Sequence, residues 1–159
     1  MGRPVVRRID VAAAALVSFI RAVMGRNDRC TVASFDEKLR AHCELSDEGT
    51  VVLALVGTTH ICGGRSNIWD AFVVAVVHFC KHANKNRPWK AVLVTDGEDN
   101  NSLMSIDNVV TVLQTYNSAS DNFCFIIGVG GDVDHAAMRS IAQRSGSLFI
   151  RRPTLPSCL

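Results

Sequence analysis

Three histidines and two cysteines in the middle of the chain have side chains that could bind a metal ion. His60 and Cys62 precede an apolar run, and His78, Cys80 and His82 lie within it and at its end. Imidazole and thiolate groups are zinc ligands, and His78 and His82, four residues apart, would share one face of a helix. The pattern lacks the paired C-x-x-C spacing typical of structural zinc sites. A zinc site is therefore the minor alternative for these residues, and small core residues or surface positions are the simpler interpretation.

A glycine-rich segment later in the chain could bind a nucleotide phosphate. Gly128-Val129-Gly130-Gly131 follows a β-branched run and precedes a helical pattern. The G-x-G-x-x-G pattern is not completed, because Val133 occupies the place of the last glycine, and the sequence has no P-loop. A G-x-S-x-G nucleophile motif is also missing. Nucleotide binding and serine catalysis therefore have no support in the sequence.

Length and composition describe one ordinary globular domain. The chain has 159 residues, of which 48% are hydrophobic and 20% charged, and its formal net charge is +2. These values exclude intrinsic disorder, collagen and a highly charged nucleic-acid binder. The longest apolar stretch is shorter than the ~20 residues of a bilayer span, and no secretion signal is visible. The six cysteines are spread almost evenly, which does not indicate a disulfide framework. We expect a cytoplasmic protein, with an extracellular location left open.

Helical stripes and short β-branched runs alternate along the chain, which predicts the α/β class. The alternation favours a three-layer, doubly wound and mostly parallel sheet with helices on both faces. Residues 1–150 would form the domain, and residues 151–159 a C-terminal tail. The predicted helices cover 9–24, 67–82, 106–113 and 133–144, the predicted strands cover 30–35, 39–43, 91–95, 123–129 and 148–150, and residues 48–58 fit either type. Functional residues are expected in loops at the carboxyl ends of the parallel strands.

Three segments in this order resemble the von Willebrand factor A family. They are the glycine-rich helix start over residues 63–68, the strand end over residues 93–98, and the helix and strand over residues 137–149. The resemblance covers residues 1–150, nearly the whole chain. It implies a doubly wound domain that carries a metal-ion-dependent adhesion site and binds protein ligands.

The resemblance assigns two metal ligands. Ser66 takes the position of the family's second-loop threonine, and Asp96 takes the position of its third-loop aspartate. The implied ion is Mg²⁺ or another divalent cation, which prefers oxygen ligands, and an acidic side chain of a protein partner would complete the shell. The alternatives are structural: Asp96 could form a turn with Gly97, and Ser66 could be the N-cap of the following helix.

The family's first strand and its Asp-x-Ser-x-Ser motif have no counterpart in this sequence. The resemblance places that strand in the middle of the sheet, where unpaired backbone groups would cost about 1–3 kcal/mol each. We expect one of three explanations: the sequence begins downstream of the true start, the two flanking strands pair directly, or another chain donates a strand. With most of its ligands missing, the metal site is expected to bind weakly at best.

The sequence therefore predicts a non-enzymatic protein–protein interaction module with a degenerate or truncated metal-ion-dependent adhesion site. The segment Glu98-Asp99-Asn100-Asn101 would contact the partner. A nucleic-acid partner and a membrane span are not expected, and strand donation or self-association is left open. One alternative is a metal-dependent phosphoryl-transfer or hydrolytic enzyme on a similar sheet, with Asp96 as ligand. The other is a truncated copy without function.

Overall fold

The alternation of helical and β-branched segments is realised in a computed structural model, which describes residues 8–57, 66–82, 84, 86–118, 122–131 and 133–152. Its elements in chain order are α1 (Arg8–Val23), β1 (Cys30–Phe35), β2 (Leu39–Ser46), α2 (Glu48–Gly57), α3 (Ile68–His82), β3 (Lys90–Thr95), α4 (Ile106–Asn117), β4 (Phe123–Val129), α5 (His135–Ser145) and β5 (Leu148–Arg152). The predicted α/β class is confirmed. The chain divides into two compact units, residues 1–64 and 65–159.

The first unit contains an antiparallel hairpin and two helices. β1 pairs with β2 so that Phe35 lies opposite Leu39. The Asp36 carboxylate closes the turn between these strands, because it accepts a hydrogen bond from the Lys38 backbone N–H at 2.8 Å and pairs with Arg40 at 2.7 Å. Side chains of both helices and of β1 form one core cluster. Its buried members are Ile20, Val32, Val51 and Leu55.

The ambiguous segment after β2 is a helix. The Asp47 side chain accepts a hydrogen bond from the Thr50 backbone N–H at 2.9 Å, and the Asp47 carbonyl accepts one from Val51. This is the arrangement of an N-cap residue, which supplies acceptors for N–H groups that have no partner within the helix. Val51 and Leu55, one turn apart, are buried, whereas Leu53 faces solvent. The N-cap and the one-sided burial explain why the segment is helical.

The second unit is built on a parallel sheet. Its strands are ordered β3-β4-β5, and β4 pairs in parallel with both neighbours. Along β4, buried and partly buried side chains alternate. The chain returns from β3 to β4 through α4 and from β4 to β5 through α5, which gives the predicted alternation of strand and helix. β5 extends to Arg152, past the predicted domain boundary at residue 150. A missing central strand stays a prediction.

The ends of the two connecting helices carry residues suited to their positions. Ser105 caps α4 by accepting a hydrogen bond from the Asn108 backbone N–H, and Asp134 caps α5 by accepting one from Ala137. Gly146 ends α5 with φ of 72°, in the left-handed region that favours glycine. The two helices are also joined by an ion pair between Asp107 and Arg144. These caps fix where α4 and α5 begin and where α5 ends.

We expect the stability of the protein to fall as pH rises from 9 towards 12, because of Cys124. This thiol on β4 is 0% exposed, and its burial, together with the nearby Cys80, raises its pKa from 9.0 to about 12. The unfolded chain would lose this proton near pH 9, while the folded chain keeps it, so each added pH unit favours unfolding by about 1 kcal/mol. Urea unfolding at several pH values measures the slope. The slope should be shallower in Cys124→Ala, and equal slopes would contradict the assignment.

Candidate functional site

The candidate site lies at the carboxyl edge of the parallel sheet in the second unit. β3 and β4 run in the same direction, and Thr95 at the end of β3 pairs with Gly128 near the end of β4. The loops that follow these strands therefore leave the sheet at the same edge, which is where ligands bind to open α/β sheets. The loop after β3 also contacts the residues that precede and begin α3. We call the surface formed by Ser66, Asn67 and residues 96–104 the rim.

The first three N–H groups of α3 are bound by side chains of the loop after β3. The Asp99 carboxylate accepts a hydrogen bond from the Ile68 N–H at 2.8 Å. The Ser102 hydroxyl accepts from Trp69 at 3.1 Å and from Asp70 at 3.2 Å, and it donates to Asp99. N–H groups in the first turn of a helix have no partner within the helix. A carboxylate near this end is also attracted to the positive end of the helix dipole. Asp99 and Ser102 thus cap α3 from a distant segment.

The helix in turn binds the backbone of the loop. One carboxylate oxygen of Asp70 accepts a hydrogen bond from the Leu103 N–H at 2.8 Å, and the other accepts from Met104 at 3.0 Å. Asp70 lies in the first turn of α3 and is partly buried. Hydrogen bonds to an ionised group are stronger than those between neutral groups. The contacts between α3 and the loop are therefore reciprocal, and each segment supplies acceptors to the other.

The residues just before α3 join the same network. Ser66 donates its backbone N–H to the Asn100 side-chain oxygen at 3.1 Å, and its carbonyl accepts from the Asn100 N–H at 3.3 Å. The Asn101 amide donates to the Asn67 side-chain oxygen at 2.6 Å. Two successive asparagines of the loop thus hold the two residues that precede the helix. Ser66 is therefore fixed against the loop that begins with Asp96.

The two residues assigned by resemblance lie on this rim. Asp96 is the first residue after β3 and is exposed, and Ser66 is partly buried. The expectation that Ser66 caps α3 is wrong: the helix begins at Ile68, and its first N–H groups are bound by Asp99 and Ser102 instead. The amide of Gly97 points back to the strand, where it donates to the Thr95 hydroxyl at 3.4 Å.

The residues at the rim supply only part of a magnesium shell. Mg²⁺ requires an octahedral shell of oxygens. Ser66 offers a hydroxyl and Asp96 a carboxylate, whereas both oxygens of Asp70 and one oxygen of Asp99 already accept hydrogen bonds. Among the residues that the structure describes, no group of three or more His, Cys, Asp or Glu side chains could hold a metal ion. The described donor set does not complete a metal site by itself.

The zinc candidates do not form a site in the described residues. The rings of His78 and His82 lie 4.5 Å apart near the end of α3, and His60 and Cys62 lie outside the described residues. Burial raises the pKa of the Cys80 thiol to about 11, which disfavours the thiolate that binds zinc. This leaves two histidine rings in contact, tilted by 44° to each other, and a protonated thiol.

Gly128 has a packing role. A Cβ atom at this position would lie 2.9 Å from a methyl group of Val133 and 3.4 Å from Met138 and Phe149. Contacts under 3.0 Å force neighbouring atoms to move, so a side chain would disturb the packing of α5 on the sheet. The close approach of Val133 explains the glycine without a bound nucleotide.

Sequence reasoning missed Asp70 and Ser102. Both act on residues more than thirty positions away in the sequence, and no local spacing pattern links such distant segments. The only signal was compositional: the loop over residues 98–102 contains only acidic, amide and hydroxyl side chains. Such side chains often bind backbone groups at helix starts, but the composition alone does not identify which helix.

Several solved structures share the fold of this chain. The chain is similar to an aerotolerance-related membrane protein from Bacteroides fragilis, with a TM-score of 0.71 and 18% identity over 91% of this chain and 81% of that one. A von Willebrand factor type A protein from Catenulispora acidiphila gives a TM-score of 0.66 and 18% identity, covering 94% of this chain but 35% of that one. Manganese-loaded TRAP protein from Plasmodium vivax gives 0.67 and 17%, covering 92% and 57%. At these identities, the similarity shows the fold alone.

The chain spans about a third of the Catenulispora protein, 35% of its length. No curated protein is significantly similar to it in sequence. None of the described helices is both long and apolar enough to cross a membrane.

A sequence profile of the von Willebrand factor type A domain matches residues 1–155, nearly the whole chain. The chain therefore belongs to the von Willebrand factor type A family.

Proposed function

We propose that this chain is a non-enzymatic protein–protein interaction module that binds its partner through the rim. The observation that carries the proposal is the reciprocal hydrogen bonding between the loop after β3 and the start of α3, through Asp70, Asp99 and Ser102. The family's protein-binding role supports the same assignment.

A rim held in this way is suited to recognition. Binding normally orders loops and side chains, and this ordering opposes association. Here the loop backbone is already held by Asp70 at Leu103 and Met104, and by Ser66 at Asn100. Exposed groups on the loop, including Asp96 and Glu98, can then contact a partner without a large loss of conformational freedom.

A divalent cation has a minor role in this proposal. Ser66 and Asp96 would hold Mg²⁺ or a similar ion, which would contribute positive charge to the rim when bound. The remaining oxygens of an octahedral shell are not supplied by the described residues, because Asp70 and Asp99 accept hydrogen bonds from the backbone. We therefore propose that the ion is held weakly in this chain, and that the protein surface itself provides most of the affinity.

We expect peptides selected on the folded chain to bind at the rim and to depend on Asp96. Selection from a random-peptide display library supplies the ligands, and amide chemical shifts locate them. Asp96→Ala and Asp96→Asn should each weaken binding by about tenfold, because a charged contact is lost. Removal of divalent ions with EDTA should change the affinity by less than about threefold.

Each result that contradicts this prediction would lead to a different conclusion. Ligands that map away from the rim, or that bind Asp96→Ala as tightly as the parent, would disprove the proposed surface. A large loss of affinity with EDTA would show that the ion is held tightly. Hydrolysis of simple phosphoesters that stops with chelator would favour the metal-dependent enzyme instead, and a chain without a cooperative thermal transition would favour the truncated copy.

A further inference from the structure

Charge is strongly segregated along the chain. Between Ala91 and Met138 the sequence contains no lysine or arginine, although the whole chain has seventeen and a net charge of +2. The same segment carries seven carboxylates, at Asp96, Glu98, Asp99, Asp107, Asp121, Asp132 and Asp134. It includes the loops that follow β3 and β4 at the carboxyl edge of the parallel sheet. Asp107 pairs with Arg144, and β5 ends at this edge with Arg151 and Arg152, so the negative charge of the rim itself is that of Asp96, Glu98 and Asp99.

The rim also presents an apolar side chain in a fixed position. Leu103 is 94% exposed, more than any other large hydrophobic side chain among the described residues. Its backbone N–H is bound by Asp70 at 2.8 Å, and the next N–H is bound by the same carboxylate. Single exposed leucines are common on protein surfaces. The backbone of this one is held by the partly buried Asp70, and it shares the rim with the exposed carboxylates of Asp96 and Glu98.

These observations determine which partner chemistry fits. Burying a fully exposed leucine in an apolar pocket is favourable, and the fixed backbone lowers the cost of ordering it. Lysine or arginine side chains around such a pocket would meet the carboxylates of the rim. An acidic partner would meet the like charges of Asp96 and Glu98, and the described metal ligands that could offset them are incomplete.

We propose that the partner is a basic protein segment that places lysine or arginine against Asp96 and Glu98 and encloses Leu103 in an apolar contact. This inference rests on the proposed function and specifies its partner. The proposed partner is basic, whereas the family resemblance implied a partner whose acidic side chain completes the metal shell.

Peptides from the random-peptide library, selected on the full chain, provide the test. The enriched sequences should combine lysine or arginine with large apolar residues. Leu103→Ser should lower the affinity for a synthetic peptide of the enriched sequence by at least about tenfold, because the apolar contact is lost. Glu98→Lys should lower the affinity for this peptide by a similar factor. The affinity of the peptide for the parent chain should fall as the salt concentration rises. Leu53→Ser is the matched control, because Leu53 is 75% exposed on α2 in the first unit; it should leave the affinity unchanged.

The outcomes separate this inference from the proposed function. Acidic or uncharged peptides that bind at the rim would overturn the partner chemistry and leave the interaction function intact. Basic peptides that bind Leu103→Ser as well as they bind the parent chain would overturn the apolar contact. A library that yields no ligand at the rim would contradict both proposals. Circular dichroism of each variant shows whether it is folded.

Discussion

Replacing Asp99 by alanine is expected to lower the free energy of unfolding by about 2–4 kcal/mol. The Asp99 carboxylate accepts hydrogen bonds from the Ile68 N–H and from the Ser102 hydroxyl. Alanine leaves both donors without this acceptor, and Ser102 loses the contact that orients it towards Trp69 and Asp70. Urea unfolding followed by circular dichroism measures the loss.

Two substitutions control for this effect. Asp99→Asn keeps the shape of the side chain and one acceptor oxygen. It should lower the free energy of unfolding by about 1 kcal/mol, because the acceptor loses only its negative charge. Glu98→Ala, next to it, should change stability by less than about 0.5 kcal/mol, since Glu98 is exposed. If Asp99→Ala proves as stable as Glu98→Ala, the loop does not cap α3.

Ile68→Ala is expected to cost about 2–5 kcal/mol, because a large buried side chain is replaced by a methyl group. Ile68 is the first residue of α3 and is 0% exposed. The cavity would form two residues from Ser66, at the start of α3, so this variant should also weaken the binding of any ligand at the rim. Chemical unfolding gives the stability, and titration with a peptide selected on the rim gives the affinity.

Ile106→Ala is the matched control for Ile68→Ala. Ile106 is likewise the first residue of a helix, α4, and follows the same loop, but it is 38% exposed. Truncation there removes less buried surface, and the expected loss is about 1 kcal/mol. Similar losses for the two isoleucines would mean that burial at Ile68 does not anchor the start of α3.

These two predictions link stability to recognition. Asp99 and Ile68 fix the start of α3 in two ways: the Asp99 carboxylate binds the helix backbone from the loop, and the Ile68 side chain is buried in the core. Variants at either position should therefore lose stability and rim binding together. Variants at Leu103 or Glu98 should lose binding alone, because both side chains are exposed. This contrast distinguishes residues that position the rim from residues that contact the partner.

The sequence predicted most of the elements because their patterns are local. β4 is a continuous apolar run between polar segments, and the structure confirms the predicted bounds at Phe123 and Val129. α2 was ambiguous because apolar residues cover most of its surface. Its helical state depends on the cap at Asp47 and on burial of Val51 and Leu55, which requires neighbouring elements. Patterns that repeat within a few residues are visible in a sequence, whereas packing partners are not.

The candidate site also has features that the sequence predicted and features that only the structure revealed. Strand ends and helix starts have local signatures, so the sequence by itself predicted that Asp96 follows a strand and that Ser66 precedes a helix, and the family resemblance implied that their loops are neighbours. Only the tertiary structure decided that Asp99 and Ser102 cap α3 in place of Ser66, and that Asp70 holds Leu103 outward. These hydrogen bonds join segments more than thirty residues apart, and their geometry exists only once α3 and β3 have packed together.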